Sequence, residues 1–162
     1  MDEKKLKDKL CSAIEAEATM AVCYGRIAEL IKNNKARLKF NRLSRESAKS
    51  KELLCGRLSG FGTAKEECGL LCEVCKLRPE SFSLIGALQV GLETTKSAAK
   101  FYNELSARCD DKQDKKLFKE LFKKQQARMM LLKREKRFGH EDEADSLAID
   151  CCLPEALSKL WK

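Results

Sequence analysis

The chain has 162 residues, about one domain by length and enough to bury a helical core. Charged residues make up 36% and hydrophobic ones 43%, and 33 Lys and Arg against 25 Asp and Glu leave a net charge of +8. Such interspersed charge over that apolar content argues against a disordered chain, and two prolines with eight glycines exclude collagen or a turn-rich sandwich. The only histidine, His140, excludes metal sites or charge relays that need two. The longest run without charge, residues 81–92, is too short to span a bilayer. The opening MDEKKLKDKL has no apolar stretch of the kind a signal peptide needs, so the cytoplasm is the expected compartment. Nine cysteines there are expected to be reduced thiols or metal ligands, and an odd count fits a fully paired disulfide framework badly.

Four amphipathic stripes at spacings of three and four predict four long helices. The first runs through Leu6, Leu10, Ile14, Glu17, Ala21, Tyr24, Ala28 and Ile31, and the second through Ala36, Phe40, Leu43, Ser47, Ser50 and Leu54. The third takes in Leu84, Leu88, Leu92, Thr95, Ala98, Tyr102 and Leu105, and the fourth Leu117, Leu121, Gln125, Arg128 and Leu132. Asn33-Asn34 and Asp110-Asp111 break the chain within each pair, the latter supplying an N-cap. Ser59-Gly60-Phe61-Gly62 ends the second helix, and Gly139 closes the fourth. These breaks predict an all-α fold, an antiparallel four-helix bundle of two αα-hairpins over residues 1–138. The hairpins would span 4–58 and 82–137, with a long crossover over 59–81 and a tail over 139–162 ending in a short helix.

The chain also repeats itself. A shift of 78 residues, with no gap, carries Leu6 to Leu84, Leu10 to Leu88, Ala21 to Ala99 and Tyr24 to Tyr102. The same shift carries Phe40 to Phe118, Leu43 to Leu121, Leu53 to Leu131 and Leu54 to Leu132. Chance would align some leucines of two helical segments, but rarely both tyrosines and both phenylalanines. The pattern reads as an ancestral duplication.

Polar residues stand on the stripes where apolar ones are expected, and the shift pairs them: Glu17 with Thr95, Ser47 with Gln125, Ser50 with Arg128. One position on each odd helix and an i, i+3 pair on each even helix is where helical proteins build carboxylate-bridged metal sites. On these residues the chain resembles the rubrerythrin branch of the ferritin-like superfamily over about residues 5–137. That family carries Glu-x6-Tyr on its first and third helices and Glu-x-x-His on its second and fourth. Glu17 with Tyr24 keeps the first motif, whereas the third helix keeps Tyr102 and has Thr95 for Glu. FNRLSRESAKSKELL resembles the second helix with Ser47 and Ser50 for Glu and His, and LFKELFKKQQARMMLLK the fourth with Gln125 and Arg128.

Five of the six former di-iron positions are therefore substituted. Ser, Thr and Gln are weak neutral donors, and Arg128 only donates hydrogen bonds and adds a fixed charge. The expectation is a non-enzymatic protein without di-iron or another cofactor, a binding or interaction module whose ligand or partner the sequence does not name. A buried Glu17 would need a counter-charge, for which Arg128 is the candidate on the family pattern.

A second cluster, Cys68-x3-Cys72-x2-Cys75, lies in the crossover. Its spacing resembles the cluster-binding motif of radical-SAM enzymes, whose barrel is several times larger than this connection. The thiolates could hold zinc or an iron–sulfur cluster with Cys55, Cys151 or Cys152 as fourth ligand. Alternatively, Thr63 and Glu66 cap a short helix on which Ala64, Cys68, Cys72 and Cys75 form a packing stripe. Cys11, Cys23, Cys55 and Cys109 fall singly on helices as core thiols. Lysines 112, 115, 116, 119, 123 and 124 crowd the start of the fourth helix. Acidic residues punctuate most other basic stretches and no aromatics interleave, which argues for a solvated face and against nucleic acid. No membrane association is expected, and the family resemblance implies a homodimer.

Overall fold

The computed structural model describes residues 1–62 and 84–138, which form four helices, three of them with a side-chain cap at the start. The four are α1 (Glu3–Leu30), α2 (Asn34–Ser59), α3 (Leu84–Arg108) and α4 (Lys112–Phe138). The described residues form no strand, so the fold is all-α. Asp2 caps α1, its carboxylate accepting from the Lys5 N–H at 2.8 Å. Asn33 caps α2 by accepting from the N–H groups of Lys35 and Ala36. Beyond α2 the chain turns at Gly62, whose φ of 71° lies in the left-handed region that suits a residue without Cβ. Phe61 in that turn stacks beneath the Arg57 guanidinium at 4.2 Å and meets Lys7 of α1 at 5.4 Å, tying the end of α2 to the start of α1.

α1 packs on α2 and α3 packs on α4, and the chain divides into two compact units, one holding each hairpin. In the first unit Leu10, Ile14, Met20 and Ile27 of α1 are buried, as are Phe40, Leu43, Leu54 and Leu58 of α2. Ser44 of α2 donates its hydroxyl to the Ala21 carbonyl of α1 at 2.7 Å. Gly25 lies beside that hydroxyl, where an added Cβ would stand 3.4 Å away. In the second unit Leu88, Ala98, Tyr102 and Leu105 of α3 are buried, as are Phe118, Leu121 and Leu132 of α4.

The 78-residue repeat holds down to single hydrogen bonds. At the first turn the Ile31 N–H donates to the Ile27 carbonyl at 3.1 Å, and at the second the Cys109 N–H donates to Leu105 at 3.0 Å. Arg37 N–H bonds the Asn33 carbonyl and Lys115 N–H bonds Asp111, again one shift apart. The Asp111 carboxylate takes the N–H groups of Gln113 and Asp114, both at 2.9 Å, matching the Asn33 cap. Tyr24 and Phe40 meet with ring centroids 6.0 Å apart, and Tyr102 and Phe118 with centroids 6.4 Å apart. Leu53 departs from the pattern, since it is exposed although its counterpart Leu131 is half-buried.

The four helices lie where the four amphipathic stripes are. The short helices expected around Cys68–Cys75 and at the carboxyl end lie outside the described residues. Because the Asp111 cap satisfies two N–H groups at the start of α4, Asp111→Ala should cost about 1 kcal/mol. Urea unfolding of the variant checks this, and an unchanged midpoint would show that the cap is idle.

Candidate functional site

Every one of the six positions singled out by the repeat is buried. In the first unit Glu17, Ser47 and Ser50 are each fully shielded from solvent. Glu17 lies about two turns before Tyr24 on the buried face of α1, between Ile14 and Met20. Ser47 and Ser50 occupy the inward stripe of α2 between Leu43 and Leu54. Ser50 returns its hydroxyl to the Glu46 carbonyl of its own helix at 3.0 Å. That i−4 bond lets a hydroxyl replace an apolar side chain without breaking the helix. The Ser47 Oγ has no hydrogen-bond partner among the described residues.

In the second unit Thr95, Gln125 and Arg128 are buried in the corresponding places, and Tyr102 is fully enclosed beside Phe118. Arg128 is only 1% exposed and leads the fully buried side chains in volume. Burying a guanidinium is costly unless its N–H groups are met; Arg128 does interact with neighbouring groups there, although its Nε has no hydrogen-bond partner among the described residues.

These donors do not fit a pair of irons. Of the six positions, the first unit supplies one carboxylate and two hydroxyls, and the second supplies a hydroxyl, an amide and a permanent cation. A carboxylate-bridged centre needs several anionic or imidazole ligands. No cluster of three His, Cys, Asp or Glu that could hold a metal occurs among the described residues.

Four buried polar residues among those described escape the stripe pattern: Thr19, Thr94, Ser106 and Asp114. The repeat carried the signal for the last of them, because Asp114 stands one shift from the buried Ala36. Thr94 adjoins Thr95, so α3 presents two consecutive buried hydroxyls.

Of the described thiols, Cys23, Cys55 and Cys109 are buried and Cys11 is half-buried, as packing residues would be. Cys68, Cys72, Cys75, Cys151 and Cys152, the candidate zinc or cluster ligands, lie outside the described residues. Burial pushes the Cys109 thiol above its ordinary pKa, and the carboxylate of Asp114 adds to the effect. A native pKa raised above the unfolded value favours the protonated thiol in the fold. Its stabilising contribution is complete below the unfolded thiol pKa of about 8.5 and is lost as pH rises through the raised native value. The wild-type urea midpoint should therefore fall more steeply than that of Cys109→Ala between about pH 8 and pH 10. Parallel pH profiles of the two proteins would contradict this.

Among the described residues no helix is long and apolar enough to cross a membrane. Comparison with protein-family models, with curated proteins and with solved structures finds no match to this chain.

Proposed function

We propose that this chain is a ferritin-like protein of the rubrerythrin type that has lost its di-iron site and serves as a binding or interaction module rather than an enzyme. The observation that carries the reading is the chemistry of the six buried positions, where Ser47, Ser50, Thr95, Gln125 and Arg128 stand in a repeated pattern that keeps Glu17 alone. The hydrogen-bonded repeat of turns, caps and Tyr–Phe pairs supports descent from a duplicated hairpin. The former metal positions have become a buried polar layer within each hairpin. A homodimer in the cytoplasm belongs to the same reading.

The Cys68-x3-Cys72-x2-Cys75 spacing favours one alternative, a zinc or iron–sulfur protein completed by Cys55, Cys151 or Cys152. Elemental analysis and an absorption spectrum of anaerobically purified protein separate the two. The leading reading requires substoichiometric zinc and iron and no thiolate-to-metal absorption. One zinc per chain, a visible charge-transfer band or two irons per chain would overturn it.

A further inference from the structure

Charge is divided among the helices far more unevenly than the net value suggests. Eleven Lys and Arg against three acidic residues give α4 a net +8, and eight against two give α2 a net +6. The remainder of the chain then carries −6, so the even helices hold an excess that the overall +8 conceals.

Within α4 the charge is sorted again, by face. Lys112, Lys116, Lys119, Lys123, Arg134 and Arg137 follow one another at helical spacing and are all exposed. They lie opposite the buried stripe of Phe118, Leu121 and Leu132. Acidic residues that interrupt the sequence do not interrupt this stripe: Asp114 is buried, Glu135 is half-buried on the inward side, and Glu120 lies at the margin. On α2 the exposed Arg42 is partly neutralised by Glu46 at 2.8 Å, whereas no ion pair among the described residues engages the six α4 cations.

We propose that the exposed face of α4 binds the phosphate backbone of duplex DNA without reading its sequence. This deepens the binding-module reading and rests on it for its premise that the helix serves recognition; it runs against the expectation of a merely solvated face. From Lys112 to Arg137 the stripe extends about 37 Å at 1.5 Å per residue. Its cations fall into two groups, with Gln126 and Met130 between them on the same line. The uncharged gap from Lys123 to Arg134 is about 16 Å, of the order of the 12 Å opening between the phosphate rims of a major groove. Each group can therefore meet one rim.

The same face argues against the other polyanions. Met130, 72% exposed, is its single large apolar side chain. A lipid surface would gain from an apolar edge that inserts, and α4 keeps its apolar side buried. Single-stranded nucleic acid is held by aromatic stacking, and this stripe has no aromatic residue. An acidic protein partner is generally met by a surface depleted of lysine, whereas four of these six cations are lysines.

Fluorescence anisotropy with a labelled duplex of about 20 base pairs, titrated from about 50 to about 200 mM salt, tests the proposal. Six phosphate contacts predict a slope of log K against log salt near −5 and a loss of roughly a thousandfold across that range. Lys116→Gln, Lys119→Gln, Lys123→Gln and Arg134→Gln combined should flatten the slope by about one unit per removed cation. Lys35→Gln, Arg37→Gln, Arg45→Gln and Lys49→Gln on α2 remove the same charge and should leave most of the slope intact. All eight positions are exposed on helices and Gln is a good helix former, so circular dichroism should show both variants folded. Absence of binding at the lowest salt, an equal loss in the two variants, or tighter binding of single strands or phosphatidylserine vesicles would each overturn the proposal. Its failure is distinct from that of the metal-free reading, because zinc or iron in the protein would leave these outcomes unchanged.

Discussion

Replacing Arg128 by alanine is expected to lower the free energy of unfolding by about 3–5 kcal/mol, an effect comparable with the whole stability of a weakly stable domain. Two costs add. The first is a cavity, because Arg128 is the largest fully buried side chain among the described residues. The second is the loss of whatever interaction the buried guanidinium makes, since a buried polar group that loses its partner does not regain water. Arg128→Met separates them, since it restores most of the volume and none of the hydrogen-bonding capacity. Arg128→Lys keeps the charge but not the planar fork, and should remain clearly destabilised if several acceptors are served at once. Chemical denaturation of the three variants measures the difference. An Arg128→Ala protein that melts with the wild type would mean that the buried guanidinium contributes nothing net to the fold.

The fold was legible where local chemistry and burial point the same way. Asn33 and Asp111 are short polar residues at the start of apolar periodicity, and both turned out to cap the helices that follow. The repeat added non-local information: it located six buried polar residues on stripes that a hydrophobicity pattern alone would have rated as defects. It misled at Leu53, because a side chain one step off the stripe has no fixed environment. Charge was the least legible property. Asp114 and Glu135 sit among lysines in linear order but are buried and half-buried, while exposed Glu120 stays at the margin of the cations, so interspersion along the chain coexists with partial segregation on the surface. The partner of Ser44 was equally hidden, since nothing in a serine at that position announces a bond to the Ala21 carbonyl of the preceding helix.

Alanine at Phe118 should cost about 3–5 kcal/mol, and alanine at Phe40 a similar amount, because each ring fills the same place in its own hairpin. Both rings are buried, and each faces the tyrosine of the neighbouring helix. Their geometries differ: the Tyr24 and Phe40 planes are tilted by 52°, whereas Tyr102 and Phe118 are nearly parallel at 19°. Tyr102 also meets Phe101 edge-on at 5.6 Å, a contact that position 23 cannot supply because it is Cys23. The second hairpin thus holds three coupled rings and the first holds two. A double-mutant cycle on Tyr102 and Phe118 should return a coupling of about 0.5–1.5 kcal/mol beyond the loss of buried area. The cycle on Tyr24 and Phe40 should also give a positive coupling, since those two rings are in contact as well. Simple additivity at both pairs would mean that the rings are kept for their volume alone, and the Tyr–Phe repeat would then cease to be a sign of a shared packing unit.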